Sequence, residues 1–495
     1  MNRDATRPAG PAPLRPDTPG PGRSPVPRPT VEELRLTSFK SYRRAVLPLA
    51  PLTVLHGPAG VGKSNALDAL AVLSRLALGE ELADSLDGLP DRAGPLALPV
   101  RGGLHGCVPH GRDAIILGCT VRSPHGRIRL DVVIRTDGPV RIARESLTLD
   151  GRTLMDTGEQ DVRNRRVNVC WHNDTRQGDI RAPFPSGTMI TAQLPLRVAG
   201  SSAGECLVLA ATEDLLTALR EVFPLHPVPA LMRGWARADP QARLRGNAAN
   251  ISAVIARLGD ECQRRYGQLL RVVQSAAPHP LLGLTVAERT GDEGVRRVLA
   301  VFDEGVLGRT GADQASDGML RHLAFAAVLL TGAGVLDLDV AAEVPWAHRQ
   351  LTVLAEDLGA GLSTEQTATL LRLARDMADR SQLRVVAALQ EPGAVREALG
   401  GDPRPGGVAV VECRRDPGSG FTVLRPEPAR PPARVPFQGG RGEGADGADG
   451  VDGADSAYGA GGADGAGEGA GTAVDGFGVE GSGPVAGGDG VDLEG

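Results

Sequence analysis

One eight-residue segment restricts the fold of this chain more than any other, and it reads Gly57-Pro58-Ala59-Gly60-Val61-Gly62-Lys63-Ser64. The residues before it, 45–55, are largely apolar and predict a strand. The residues after it predict a helix from Lys63 to about Leu78 with one apolar face. A glycine-rich loop that joins a strand to a helix and ends in Gly-Lys-Ser is typical of phosphate binding, and it predicts an α/β fold.

The residue types in this loop fit a bound nucleotide. Glycines let the backbone curl so that its N–H groups point at phosphate oxygens, Lys63 reaches the β and γ phosphates, and the Ser64 hydroxyl binds Mg²⁺. The chain contains 52 Arg but only two Lys, Lys40 and Lys63. A Lys kept at this place supports the assignment, because a phosphate loop requires a compact ammonium. The alternative is an ordinary Gly-rich turn. The predicted cofactors are ATP and Mg²⁺.

Composition and charge confine the expected folded domain to residues 30–435. Residues 1–29 are Pro-rich and residues 436–495 repeat Gly, Ala and Asp, so both ends are expected to be disordered. The net charge is −6, yet residues 441–495 hold twelve acids and one Arg, a charge of −11. The remainder therefore carries about +5, which is compatible with nucleic acid without requiring it.

Cysteine, histidine and hydropathy patterns exclude further classes. The six cysteines lie far apart and the histidines do not cluster, so neither a disulfide framework nor a zinc site is predicted. No stretch of about 18 apolar residues predicts a membrane span, and the N-terminus lacks the apolar core of a secretory signal. The protein is therefore expected to be cytoplasmic, with no membrane partner.

Residues 114–154 alternate apolar and polar side chains and predict an antiparallel β lobe at about 100–175. Residues 203–275 carry helical periodicity and predict a helical insertion at about 200–280. From 351 to 389 the pattern is strand, helix, strand, which indicates a parallel sheet. The expected fold class is α/β, with a mixed or parallel sheet, an antiparallel β lobe and a helical insertion.

Four short segments resemble motifs of one group of proteins. Ala315-Ser316-Asp317-Gly318-Met319-Leu320-Arg321, at a predicted helix start, resembles the SDGTLR form of the ABC signature. Phe39-Lys40-Ser41 looks like the FKS turn, and Ser64-Asn65 like the GKSN ending, of AAA-type predicted ATPases of the ABC superclass, which are related to the RecF, SMC and OLD group. Asn250 to Val254 is similar to a helix start in the same group. The resemblance spans about residues 31–400.

The resemblance implies a P-loop NTPase of the ABC-ATPase type that forms a homodimer around two ATP molecules. It implies that Asn65 and Gly318 belong to the nucleotide site. In such dimers, Ser316 and the N–H groups at its helix start meet the γ-phosphate held by the other protomer, and a helix N-terminus suits that anion. The alternative for Ser316 is a plain N-cap.

The segment from Leu351 to Asp357 resembles a Walker B strand. Its register implies that Glu356 orders the water shell of Mg²⁺ and that Asp357 takes the general-base position, where Glu is usual. The alternative is two solvent-facing acids at a strand end. Val385 to Pro392 resembles the switch segment, with Gln390 in place of the usual His. Gln can orient a water molecule but cannot carry a proton.

The implied function is therefore an ATP-binding, ABC-type ATPase that hydrolyses ATP slowly because of Asp357 and Gln390. The alternative is a non-hydrolysing, ATP-gated clamp or scaffold. The basic body also allows a role in DNA repair or defence with DNA as a partner, although the sequence shows no long coiled coil and no recognisable nuclease domain. Arg101-Gly102-Gly103 is the candidate contact between the lobe and the nucleotide site, since Gln193 lies too far along the chain.

Overall fold

The computed structural model describes residues 28–87, 100–176, 178–291, 293–337, 350–380, 383–400 and 407–427. Contacts divide the chain into two units, Met1–Arg434 and Val435–Gly495, and all described residues belong to the first. Both ends that the sequence predicts to be disordered lie outside the described residues, except for positions 28 and 29.

The described residues contain strands and helices in alternating groups. The strands are β1 (Thr30–Phe39), β2 (Tyr42–Pro48), β3 (Leu52–His56), β4 (Ala114–Ser123), β5 (Gly126–Arg135), β6 (Arg141–Leu149), β7 (Arg152–Asp161), β8 (Arg166–Trp171), β9 (Ile180–Pro185), β10 (Val222–Leu225), β11 (Ala236–Arg237), β12 (Gly283–Thr290), β13 (Arg296–Asp303), β14 (Arg309–Gly311), β15 (Leu351–Ala355), β16 (Leu383–Leu389), β17 (Val408–Arg415) and β18 (Thr422–Pro426). The helices are α1 (Lys63–Ala77), α2 (Leu82–Asp87), α3 (Gly103–Cys107), α4 (Ile190–Gln193), α5 (Ala203–Arg220), α6 (Pro229–Met232), α7 (Ile251–Glu261), α8 (Gln263–Ala276), α9 (Asp317–Thr331), α10 (Thr364–Arg380) and α11 (Gly393–Leu399).

A 14-stranded sheet, in the order β10-β15-β16-β3-β17-β18-β2-β1-β4-β5-β6-β7-β8-β9, is the main layer of the described residues. Its first five strands are parallel to one another. From β1 and β2 onward, the neighbouring strands are antiparallel and form the β lobe. The two parts join through the antiparallel pair β17–β18 and one parallel pair between Thr422 and Tyr42.

The parallel strands are apolar on both faces because helices cover both faces, as parallel sheets require. All five residues of β15 and all seven of β16 are buried. Alternate side chains of β16 enter two cores: Val386 packs with residues of α1 and α5, whereas Val385 packs with residues of α7, α9 and α10. The strand β3, which precedes the glycine-rich loop, divides in the same way, with Leu55 in the first core and Val54 in the second.

A second sheet, with β13 between β11 and β12 and with β14 also on β13, packs with α7 and α9 in the second core. The segment predicted as helical, 203–275, contains α5 to α8 but also β10 and β11. The β lobe continues past its predicted end at 175 to Pro185, and it includes β1 and β2.

These layers confirm the predicted fold class. The described residues have a mixed sheet with a parallel core, an antiparallel β lobe, and helices inserted between β9 and β12. The glycine-rich loop joins the parallel strand β3 to α1.

Candidate functional site at the carboxyl edge of the parallel strands

Four parallel strands end side by side, and chemically active residues follow each of them. The glycine-rich loop follows His56 at the end of β3, and Gln390 follows Leu389, which pairs with His56. Glu356 and Asp357 follow β15, whose last residue pairs with both Ala387 of β16 and Leu225 of β10. This shared edge is where open α/β sheets bind ligands.

Except for Gly318, the predicted nucleotide-binding residues lie in one continuous segment of the chain. Gly57, Pro58, Ala59, Gly60, Val61 and Gly62 form the loop, and Lys63, Ser64 and Asn65 form the first turn of α1. Gly62 is the N-cap with a φ of 106°, and no side chain caps the helix. The free N–H groups of an uncapped 15-residue helix carry partial positive charge, which favours an anion at this end.

Three successive carbonyl groups of the loop accept hydrogen bonds from side chains outside it. Arg415 donates from Nη2 to the Gly60 oxygen at 3.0 Å, Thr422 Oγ1 to the Val61 oxygen at 2.6 Å, and Tyr42 Oη to the Gly62 oxygen at 2.9 Å. In a trans peptide the N–H group points away from the carbonyl. The N–H groups of the same three peptide units, at Val61, Gly62 and Lys63, therefore point away from these side chains, an arrangement compatible with an anion-binding nest.

The turn between β1 and β2, which the sequence singled out as Phe39-Lys40-Ser41, supports the same loop. Asn65 donates from Nδ2 to Ser41 Oγ at 2.8 Å, and Ser41 Oγ lies 2.8 Å from Thr422 Oγ1. A Cβ at Gly62 would lie 2.5 Å from Thr422 Oγ1 and 2.7 Å from Ser41 Oγ. Position 62 therefore needs glycine for its close neighbours as well as for its φ.

Lys63 is buried under the loop, with 6% of its surface exposed. Its Nζ donates to the carbonyl oxygens of Gly57 at 2.7 Å and Pro58 at 2.8 Å. Burial lowers the pKa of Lys63, and the nearby Cys413 and Asp357 partly oppose this effect. Within the described part of the chain it forms no ion pair. A buried ammonium that is held only by carbonyls fits an incoming polyphosphate.

The two acids after β15 lie close together. Glu356, Asp357 and His226 each place one ligand atom within 4.8 Å of the others. Arg101 forms an ion pair with Glu356 and donates to Asp68 Oδ2 at 3.2 Å. Arg101, the candidate lobe contact, thus links the strand-end acid Glu356 to Asp68 of α1.

These side chains also fit a divalent cation. Carboxylates are the ligands that Mg²⁺ prefers, and the hydroxyl of Ser64 lies in the first turn of α1 at the same sheet edge. Asp357 has a φ of 48°, in the left-handed region that Asp enters more readily than most residues. Gln390 is exposed directly after β16.

Ser316 is the N-cap of α9, and Gly318 lies in the first turn of the same helix. Ser316 is exposed and caps α9, since its Oγ accepts from the Met319 N–H at 3.2 Å. Arg233 donates to the Ala315 oxygen at 2.9 Å and holds this helix start from outside. No hydrogen bond among the described residues joins Ser316 to the phosphate loop of the same chain. The plain N-cap expected as the alternative is thus present, and it leaves the hydroxyl at the surface.

Several residues of the site escape sequence reasoning. No motif contains His226, or Thr422 and Arg415, which donate hydrogen bonds to the loop carbonyls. These residues reach the site only because strands far apart in the chain pair. The sequence holds only weak signals for these residues. They are a short apolar run at 222–225, which His226 follows, and a β pattern at 408–426.

Comparisons with known proteins give only distant similarity. No protein-family model matches the chain, and no curated protein matches it. Among solved structures, the SMC head domain from Thermotoga maritima is 12% identical, with a TM-score of 0.36, covering 81% of this chain and 100% of that one. An SmcHead bound to the C-winged helix domain of ScpA is 12% identical, with a TM-score of 0.42 and coverages of 80% and 98%.

The recombination mediator protein RecF-ATPrS is 9% identical, with a TM-score of 0.32, covering 80% of this chain and 98% of that one. Similarity at these levels does not assign a function. In the described residues, no helix is both long and apolar enough to cross a membrane.

Proposed function

We propose that this chain binds ATP with Mg²⁺ at the phosphate loop. The observation that carries the proposal is the combination of three outward carbonyls at Gly60, Val61 and Gly62 with a buried ammonium at Lys63. The loop thus presents backbone donors and one cation to the same space. A triphosphate provides the acceptors and the negative charge that such a site lacks.

The acids after β15 serve the chemical step in this proposal. Glu356 holds the cation's water shell, Asp357 accepts the proton of the attacking water, and Gln390 orients that water by hydrogen bonds. The cation supplies charge neutralisation for the phosphates. Because Gln390 cannot carry a proton and Asp357 is short, we propose slow hydrolysis.

We further propose that two copies pair around the nucleotide. Ser316 is exposed at the start of a 15-residue helix, so its hydroxyl and the helix dipole can meet a phosphate held by the second copy. The second candidate function is an ATP-gated clamp with little hydrolysis, and Gln390 is the residue that favours it.

A role on DNA, in repair or defence, is a separate proposal. It rests on the excess positive charge outside residues 441–495. It is tested by measuring binding to duplex DNA at two salt concentrations, since phosphate contacts weaken as salt rises. If the protein does not bind duplex DNA even at low salt, DNA is not a partner.

The variant Lys63→Ala tests the ATP site. Removing a charge-assisted hydrogen-bond donor should raise the Kd for ATP by roughly 10- to 100-fold. Calorimetric titration with ATP and Mg²⁺ measures this change, and thermal unfolding verifies that the fold is retained. Arg264→Ala is the matched control, because Arg264 is an exposed cation on α8. An unchanged Kd in Lys63→Ala would refute the phosphate-loop assignment.

A further inference from the structure

His226 stands beside the two strand-end acids because of strand pairing. Leu225, the last residue of β10, pairs with Ala355, the last residue of β15. The next residue on each strand is therefore His226 on one and Glu356 on the other, at the same height on the sheet edge. The main chain of His226 is fixed as well, since its N–H donates to the Gly246 oxygen at 2.8 Å.

The two oxygens of Glu356 face different partners. Oε1 forms the ion pair with Arg101, whereas Oε2 lies 3.5 Å from His226 Nδ1. Two ligands that each lie about 2.1 Å from one metal ion are roughly 3.0 to 3.5 Å apart. The pair His226 Nδ1 and Glu356 Oε2 has this spacing. His226, Glu356 and Asp357 each have one ligand atom within 4.8 Å of the ligand atoms of the other two.

We propose that His226, Glu356 and Asp357 form a three-ligand site that prefers a first-row transition-metal dication to Mg²⁺. Imidazole nitrogen is a good ligand for such ions, whereas Mg²⁺ takes oxygen ligands and holds its waters. The proposal rests on the proposed function only in that Glu356 would also serve the cation of the bound nucleotide. It predicts metal binding without nucleotide.

The charged groups around the site are compatible with a dication. Arg101 faces Glu356 from the side of Oε1, and it also pairs with Asp68, which in turn pairs with Lys40. Arg101 thus orients the carboxylate from outside, as second-layer partners of metal ligands do. Lys63 also lies near Asp357, and it donates to loop carbonyls.

Calorimetric titration of the full chain with Co²⁺ and with Mg²⁺, without nucleotide, tests the proposal. The wild type should bind one Co²⁺ at least about tenfold more tightly than Mg²⁺. His226→Gln should weaken Co²⁺ binding by roughly tenfold or more and leave Mg²⁺ binding within about twofold. His105→Gln, which removes an exposed histidine of α3, should behave like the wild type.

Two further measurements keep this result separate from that of the ATP proposal. His226→Gln should retain its thermal unfolding temperature, and Lys63→Ala should retain Co²⁺ binding even though it loses ATP. Equal affinity of the wild type for Co²⁺ and Mg²⁺ would overturn the inference. So would Co²⁺ binding that His226→Gln does not change. Loss of ATP binding alone would leave it standing.

Discussion

At the scale of single residues, Asp357 shows why a departure from a motif needs a backbone explanation. The sequence alone makes its short side chain look like a weakened version of Glu. Its φ of 48° gives another reason for Asp, because a longer side chain without a local hydrogen-bonding group enters the left-handed region at greater cost. Asp357→Glu would therefore gain reach toward the water and lose stability, by about 1 to 2 kcal/mol.

Asp357→Asn removes the negative charge without straining the backbone, because Asn also tolerates a positive φ. If Asp357 is the general base, phosphate release should fall by roughly 10²-fold or more while the Kd for ATP changes little. Asp376→Asn, at an exposed position on α10, is the control. Turnover at the wild-type rate in Asp357→Asn would show that another group accepts the proton. A phosphate-release rate of the wild type that is no higher than that of ATP without protein would favour the second candidate function, the ATP-gated clamp.

At the scale of elements, the start of α9 packs directly on the loop that follows β15. A Cβ at Gly318 would lie 2.2 Å from the carbonyl oxygen of Gly361. This contact joins the signature-like helix to the segment that carries the strand-end acids. The resemblance assigned Gly318 to nucleotide binding, and the structure adds a packing reason for glycine at the same position.

Gly318→Ala should therefore displace the backbone at Gly318 or Gly361 and lower the free energy of unfolding by roughly 1 to 3 kcal/mol. Gly334→Ala is the matched control, because a Cβ there meets nothing within 4 Å. Denaturation in urea, followed by circular dichroism, compares the two midpoints. Equal midpoints would mean that the start of α9 is free to move away from Gly361.

Elements with a strong local pattern could be predicted from the sequence, and those defined by distant partners could not. The apolar run 351–355, the helix after the phosphate loop and the Ser-capped helix at 316 are all found where the sequence predicts them. The strand β10 is not predicted because it is only four residues long and begins one residue after the C-cap of α5, inside the segment predicted as helical. The strands β17 and β18 have exposed or half-buried positions, so their sequences do not resemble buried strands.

The same division holds for the site. The loop from Gly57 to Ser64 is one continuous segment, so its pattern survives in the sequence. His226 and Glu356 are 130 positions apart and meet only through the parallel pairing of β10 with β15. No local pattern reports such a pairing, since it depends on which strands neighbour each other in the folded sheet.

At the scale of the whole molecule, the proposed dimer places one chain's α9 against the nucleotide of another. Ser316→Arg should prevent the ATP-dependent dimer, because the side chain fills the space that a phosphate needs. Ser316→Asp should do the same through charge repulsion, while Asp keeps the N-cap. Light scattering with and without ATP measures both, with Ser275→Arg, an exposed serine of α8, as the control. A dimer that persists in both Ser316 variants would argue against this arrangement.

The three side chains that donate hydrogen bonds to the loop carbonyls also set an order of events during synthesis. Tyr42 precedes the loop in the chain, but Arg415 and Thr422 follow it by about 350 residues. A ribosome adds about 5 to 20 residues per second, so this interval lasts roughly 20 to 70 s. During that time the carbonyls of Gly60 and Val61 lack these partners. The nascent chain therefore carries the complete loop sequence long before it can hold that loop in its final shape.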